Sequence, residues 1–363
     1  MKILHTADNH FKKNRIDEAI KCSDNIVDYL ESNDVDIVAH CGDIFDKNTT
    51  VNSPEYLASL DFIYRLSKHA PVVMIRGNHD PVGSLSAFQK MDNVHVVEKP
   101  GRVTVGGIDF FTLPYVSVQE QSDDFSSIKE AFRKATLDTQ ALLVSYGKYE
   151  SNLPRVFLGH IFVDDAVLAN SETISANEVM LSLDDLRMAK CDMYLLGHIH
   201  NHEQDIFKGF PVRYCGAHYK TNFSETQEPG FFVWDTDNPK KPEFVKTNAR
   251  GMHEFEMDVD DVRAFVNDRK LPFDIPGDSD VKIRMRVPQS IRAMVKRDDL
   301  LKFVPDDSTL TMSRITVPEV KLRNEKIAKL RRFSDKLVEW CSMKKIKASD
   351  GLINKAERLE GLA

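Results

Sequence analysis

The chain has 363 residues, long for one domain and natural for two, with 42% apolar and 29% charged residues, the balance of a water-soluble globular protein. No apolar run approaches the roughly 18 residues that a membrane-crossing helix requires, and a net charge of −7 excludes a surface that is basic all over. Five widely spaced cysteines (Cys22, Cys41, Cys191, Cys215, Cys341) without a Cys-x-x-Cys pair, and a Met1 that runs straight into an apolar segment, predict reduced thiols and no secretory leader. The expected compartment is a cytoplasm, the host's if the chain is viral.

Through residue 115 strands and helices alternate, as in βαβ units. Lys2–Thr6, Val35–Ala39 and Val72–Ile75 read as buried strands, with helices predicted over Ile16–Leu30 and Pro54–Leu66. Gly101–Leu113 reads as two strands around Gly106-Gly107, and residues 124–149 read as a helix. Two further strands, Arg155–Leu158 and Met193–Leu196, precede a strand group that ends at Trp234. The polar turn from Asp235 to Pro242 predicts a hairpin closing the sheet. Residues 252–316 then offer strand, helix, strand, helix and strand: Glu254–Val259, Asp260–Asn267, Val281–Val287, Ser290–Phe303 and Thr309–Thr316. Lys282, Arg284 and Arg286 alternate along one of these strands and share a face. They read either as phosphate contacts or as a solvated strand face. Residues 319–345 read as one amphipathic helix, with Val320, Ile327, Leu330, Leu337 and Cys341 near one stripe and Lys321, Arg323, Lys326, Lys329, Arg331 and Arg332 on the polar side. Such a helix packs on its own domain or docks a partner; Pro318, which sets it apart, favours docking.

Chemistry concentrates where the strands end. Asp8-Asn9-His10, Gly42-Asp43-Ile44-Phe45-Asp46, Gly77-Asn78-His79-Asp80, Gly159-His160 and Gly197-His198-Ile199-His200 each follow one of the predicted strands. A strand that ends in a donor presents it at the rim of a sheet, where open α/β folds bind ligands. Oxygen and imidazole donors without thiolate suit manganese, iron or zinc. Two ions fit the donor count better than one. Asp43 is the expected bridge, because the preceding glycine lets the backbone turn sharply. Asp8, His10 and His200 would complete one ion, and Asn78, His160 and His198 the other. Such a pair activates a water for in-line attack on phosphorus. His79 is left off the ions, with the expected task of stabilising or protonating the leaving oxygen while Asp80 orients its ring. Asp46 is expected behind the ligands, bonding an imidazole or the turn.

This motif set resembles the calcineurin-like metallophosphoesterase superfamily, and within it the SbcD/Mre-type DNA nucleases, which pair with an SbcC/Rad-type coiled-coil ATPase. Gly42–Asp46, Leu158–Val163, Tyr214-Cys215-Gly216-Ala217, Phe223-Ser224-Glu225 and Gly230–Val233 carry the closer likeness. Ala217 and His218 depart from it, standing where the family usually has Ser and an apolar or Pro residue. The resemblance implies an α/β fold: a β-sandwich flanked by helices over residues 1–250, a small α/β capping domain over 251–317, and a helical ATPase-binding segment over 318–363. It also implies a homodimer, two divalent ions (manganese foremost, with magnesium, iron or zinc as alternatives) and exonuclease or endonuclease action in DNA repair or recombination. Residues 1–239 hold 22 Lys+Arg against 35 Asp+Glu, and residues 240–363 hold 27 against 21. A DNA substrate would therefore depend on metals, local basic loops and a partner for phosphate neutralisation. Two alternatives are a small-molecule phosphatase or cyclic-nucleotide phosphodiesterase, for which the capping unit and basic helix have no purpose, and a non-catalytic DNA-end-binding scaffold. The scaffold would tolerate a degraded motif, and none of the candidate donors is missing.

Overall fold

A computed structural model describes the chain except for residues 47–48, 118–127, 165, 167, 169–177, 204–206, 319–324 and 362–363, and the side chains of 128, 325 and 328. Val320, Lys321 and Arg323 of the predicted C-terminal helix therefore lie outside the described residues, as does the start of the helix predicted over 124–149. The chain divides into one compact unit of residues 1–254, 276–282 and 305–311, and a second of residues 255–275, 283–304 and 312–363.

The first unit is a two-sheet sandwich. One sheet is made from β1 (Lys2–Thr6), β2 (Ile37–His40), β3 (Val72–Ile75), β4 (Val94–Val97), β12 (Gly230–Asp235) and β13 (Glu243–Lys246), in the order β13-β12-β1-β2-β3-β4. Strands β1 to β4 run parallel, whereas β12 and β13 form the predicted antiparallel hairpin that closes the edge. The other is made from β5 (Gly101–Val105), β6 (Ile108–Leu113), β7 (Arg155–His160), β10 (Met193–Gly197) and β11 (Val212–Tyr214), in the order β11-β10-β7-β6-β5. All but β5 are parallel. A short parallel pair, β8 (Phe162–Val163) and β9 (Met180–Leu181), stands outside both sheets. Gly106 and Gly107, at φ +56° and +83°, make the two-residue turn between β5 and β6 that the sequence predicts.

Period-2 alternation explains why these sheets stack. Phe110, Val156, Leu158, Met193 and Leu195 face inward onto Ile3, Ala39 and Val73 of the first sheet. Their neighbours Phe111, Phe157, Tyr194 and Leu196 face outward onto α3 (Ile128–Lys148) and α4 (Leu183–Arg187), which contribute Ala131, Ala135, Leu143 and Leu186. Helices α1 (Ile16–Ser32) and α2 (Pro54–His69) bury Cys22, Ile26, Phe62 and Leu66 in the core shared with the first sheet. Ser53 caps α2, its hydroxyl accepting from Tyr56 N–H, with Pro54 at the first position. A mixed α/β sandwich flanked by helices follows, as expected.

Past residue 250 the chain forms β14 (Gly251–Met257), α5 (Val259–Asp268), β15 (Ser279–Pro288), α6 (Arg297–Leu301) and β16 (Thr309–Val317), with sheet order β14-β15-β16. Along β15 Val281, Ile283, Met285 and Val287 are buried while Arg284 and Arg286 are exposed. The helix expected over 290–303 is instead a 3₁₀ segment (Gln289–Met294) and α6, because Val295 adopts an extended conformation between them.

The C-terminal segment also differs from expectation. It is not one helix but α7 (Glu325–Lys329) and α8 (Phe333–Met343), and a further helix, α9 (Asp350–Glu360), follows. The break falls at Arg332, whose backbone is extended (φ −82°, ψ 140°), and Glu360 caps the helix that starts after it. Its carboxylate accepts from the Phe333 and Ser334 N–H groups and from the Ser334 hydroxyl, taking two donors that a continuous helix would send to the carbonyls one turn back. A carboxylate at a helix N-terminus is also favoured by the helix dipole. Cys341 and Ala356 are buried in this hairpin, Cys341 to 2% exposure. Removing residues 348–363 should therefore open Cys341 to a thiol reagent such as DTNB, while the full chain protects it. Equal labelling of both proteins would show that α9 does not cover α8.

Candidate metal centre

Three parallel strands of one sheet and two of the other deliver their carboxyl ends to the same edge. Beyond β1 and β2 the exit loops stay paired: Asp8 N–H donates to Gly42 O (3.0 Å), His10 N–H to Asp43 O (3.1 Å) and Phe11 N–H to Ile44 O (3.0 Å). Holding the loops side by side forces Asp8, His10 and Asp43 to φ +52°, +44° and +56°, and His198 sits at +100°. Left-handed backbone costs a non-glycine residue about 1–2 kcal/mol. Four such residues among seven candidate ligands mark a site whose surroundings dictate its geometry. Gly42 (φ +91°) is required on two counts, since a Cβ there would lie 2.5 Å from His160 Nδ1 and 2.8 Å from Gly77 Cα.

The turns are pinned by Asp80. Its carboxylate accepts from Asp43 N–H (2.8 Å), Gly77 N–H (2.9 Å) and Phe45 N–H (3.1 Å). Both its oxygens are committed to backbone, which corrects the expectation that Asp80 orients the His79 ring. Asp46 is the carboxylate beside His79, its Oδ1 3.3 Å from Nδ1, an ion-pair distance whose angle falls short of a hydrogen bond. His79 N–H donates to Asp43 Oδ1 (2.7 Å), and its ring stands edge-on to His10 with centroids 4.7 Å apart.

All seven candidate ligands converge. Donor atoms of Asp8, His10 and His200 lie within 4.8 Å of one another, as do those of Asp8, Asp43 and His160. Asp8 accepts from His198 N–H at 3.0 and 3.1 Å, which ties the two sheets together. Each of three imidazoles has one nitrogen engaged away from the centre. His160 Nδ1 faces Cys41 O (2.7 Å), His200 Nδ1 faces Glu225 Oε1 (2.9 Å), and His198 Nε2 pairs with Glu178. These acceptors fix the tautomers and turn the opposite nitrogens inward. There Asn78 Oδ1 meets His160 Nε2 at 2.8 Å and His198 Nδ1 at 3.0 Å, while His200 Nε2 meets His10 Nε2 at 3.0 Å. Lone pairs that converge on one another in a buried pocket suit cations between them, so the donor set fits the ions it resembles. Glu225 belongs to a segment singled out in the sequence. Glu178 does not, because a lone acid in an irregular stretch carries no local signal.

Burial and charge leave the group under tension. Burial pushes Asp8 up to about 6 against the pull of His160, His200 and His198, with Asp43 adding to the rise. Asp80 is pushed to about 6 by burial and by the Asp43 charge. Asp43 itself would be raised by burial, yet the imidazoles of His160 and His10 hold it well below the usual carboxylate range. His160, which burial alone would lower, is lifted to about 9 by Asp43 and Asp8. Burial keeps His10 well below the usual imidazole range and so neutral.

A cation must displace the His160 proton, and at lower pH the Asp8 proton too. Binding should release protons and strengthen by about tenfold per pH unit between 6 and 9, more steeply below 6. Calorimetry of Mn²⁺ binding in buffers of different ionisation heat checks this. Affinity independent of pH over that range would remove His160 from the centre.

Residues 1–202 match the family described as calcineurin-like phosphoesterase. Among curated proteins, the chain is similar to the SbcD subunit of the nuclease SbcCD from Staphylococcus saprophyticus, 26% identical over 66% of this chain and 67% of that one. It is similar too to the SbcD subunit of the nuclease SbcCD from Staphylococcus epidermidis, 24% identical over 74% of this chain and 75% of that one. With a family match over more than half its length and the matching donors gathered at one sheet edge, the chain belongs to the calcineurin-like phosphoesterases.

Proposed function

We propose that the chain is the nuclease subunit of a DNA-processing complex: a two-metal phosphodiesterase that hydrolyses DNA beside an SbcC-type coiled-coil ATPase. The observation that carries the reading is the centre itself, in which five strand ends present carboxylate, amide and imidazole donors with their outer nitrogens already engaged. The likeness to the two staphylococcal SbcD nuclease subunits over about two-thirds or more of the chain supports DNA as the substrate and an SbcC-type partner.

Asp8, His10, Asp43 and His200 would hold one ion and Asp43, Asn78, His160 and His198 the other, with Mn²⁺ as the expected metal. When bound, two such ions acidify a water between them and neutralise charge on the phosphoryl oxygens. The protein's own part is positional. Asp80 fixes the turns that carry Asp43 and Asn78; Glu178 and Glu225 keep His198 and His200 in the tautomers that leave a nitrogen facing inward. His79 has its backbone anchored to Asp43 and Asp46 beside Nδ1, which leaves Nε2 to protonate or bond the leaving oxygen.

Arg284 and Arg286, on the exposed face of β15, are the proposed phosphate contacts of the capping unit. Lys282 is half-buried in the first unit and pairs with Glu254 at 3.4 Å, so its charge is partly spent. On the C-terminal hairpin the apolar stripe read from the sequence divides: Cys341 is buried, Ile327, Leu330 and Leu337 are half-buried, and Val320 is outside the described residues. Phe333, Trp340, Met343, Leu352 and Leu359 are exposed, and they extend the proposed ATPase-binding surface. Val51, Leu57 and Tyr64, exposed on and before α2, support a homodimer interface. All five cysteines are free and buried, and no helix among the described residues is long and apolar enough to cross a membrane, which supports a cytoplasmic setting.

Wild-type protein with Mn²⁺ should degrade an end-labelled linear duplex. His79→Asn should lose that activity by a hundredfold or more (roughly the general-acid contribution) while still binding metal, and Asp46→Asn should lower kcat more than KM. Cleavage of bis-p-nitrophenyl phosphate without DNA cutting, even with the ATPase present, would contradict DNA as substrate. Deleting residues 319–363 should leave ester hydrolysis intact and abolish co-purification with the ATPase; retained binding would move the docking surface elsewhere.

A further inference from the structure

Behind the centre lies a string of polar side chains that no ligand role accounts for. Asn9, His40 and His218 are fully buried, Ser23 nearly so, and they come from four separated parts of the first unit. His40 Nε2 meets Asn9 Oδ1 at 2.5 Å, Asn9 Nδ2 meets His218 Nδ1 at 3.3 Å, and His218 Nε2 meets Ala19 O and Ser23 Oγ of α1, both at 3.3 Å.

The proton positions follow from the two ends. Gly42 N–H donates to His40 Nδ1 (3.3 Å), so the His40 proton sits on Nε2 and must go to the Asn9 oxygen. The Asn9 amide nitrogen is thereby turned to His218, whose Nδ1 accepts. His218 then carries its proton on Nε2, where Ala19 O can only accept. Both ends dictate one arrangement. Burial pushes His40 and His218 down to about 3, so both rings stay neutral as this arrangement requires.

The string touches two turns built on left-handed residues. Asn9 lies between Asp8 and His10, and Gly42 precedes Asp43; Asp8, His10 and Asp43 are three of the left-handed residues described above. At the far end the backbone O of His218 accepts from Thr247 Oγ1 (2.6 Å), and the neighbouring Tyr219 hydroxyl donates to His10 O (2.7 Å). His218 stands where the resembling family usually has an apolar or Pro residue, so the string replaces apolar packing with directional bonds.

We propose that Asn9, His40 and His218 are positioning residues: one hydrogen-bonded rod that sets the spacing between the Asp8–His10 turn and the Gly42–Asp43 turn, and through it the placement of the two metal ions. The proposal rests on the two-ion reading of the centre. A rod that fixes spacing acts on metal binding, whereas simple core packing acts on stability alone.

The test uses the full chain with Mn²⁺ alone, followed by calorimetry and electron paramagnetic resonance, with thermal unfolding in EDTA as the control for folding. His218→Leu removes the acceptor for Asn9; His218→Gln keeps an acceptor and a donor. His218→Leu should weaken Mn²⁺ binding roughly 10–100-fold, the usual effect of losing a partner behind a ligand, and should lose the exchange-coupled signal of a close ion pair. His218→Gln should restore both to within about threefold. If His218→Leu does not fold, the triple change Asn9→Leu/His40→Leu/His218→Leu removes the string's three side chains together, so none of them is left buried without its partner, and the same loss is expected of it. Wild-type affinity and a coupled signal in the leucine variants would overturn the proposal, as would equal losses in His218→Leu and His218→Gln. A wild-type protein that takes up no pair of ions would overturn the centre as well, which separates the two failures.

Discussion

One buried carboxylate organises the site without facing any ion. By accepting three backbone N–H groups, Asp80 clamps the Gly42–Phe45 turn to the Gly77 turn, at an approach so close that a Cβ on Gly77 would collide with Asp43 Oδ1. Everything downstream depends on that approach. It brings Asn78 across to His160 and His198 on the second sheet and fixes His79 N–H on Asp43. It also accumulates buried negative charge: Asp80 and Asp8 both sit near a pKa of about 6, and Asp80 is raised in part by Asp43. Divalent cations among these groups would relieve that charge, so the same contacts that strain the protein create its affinity for metal.

The two sheets divide the work. The first supplies Asp8, His10, Asp43, Asn78 and His79 from loops bound to each other by backbone hydrogen bonds; the second supplies His160, His198 and His200 from two adjacent parallel strands. Their juncture is polar at the rim and apolar beneath, with Val156, Leu158, Met193 and Leu195 packed on the first sheet. Burying those side chains contributes about 1.5–3 kcal/mol each, ample to offset the left-handed turns above them. The candidate ligands thus sit on a packed scaffold, the arrangement that preorganised electrostatic stabilisation requires.

Much of this was legible in the sequence, because a strand that ends in Gly-Asp or Gly-His states both its direction and its donor. The unbroken apolar runs Phe157-Leu158 and Tyr194-Leu195-Leu196 are what strands covered on both faces require. What escaped was whatever depends on contacts distant in sequence. Nothing local distinguishes Asp80 as a backbone clamp from Asp46 as the partner of His79, since each lies one to three residues from a candidate ligand. Glu178 meets His198 only after the sheet has formed. At the C-terminus the helical periodicity was correct over Glu325–Lys329 and Phe333–Met343, yet the second helix starts anew under a cap from Glu360, a residue whose effect on Phe333 no local pattern contains.

Two ions sharing Asp43 between the two sheets is the arrangement on which the proposed chemistry depends. Anomalous diffraction from crystals grown with Mn²⁺ tests it most directly. Two peaks about 3.5–4 Å apart, one beside Asp8, His10 and His200, the other beside Asn78, His160 and His198, with Asp43 between them, are the expected result. A single peak, or a pair that leaves Asp43 without contact, would contradict it.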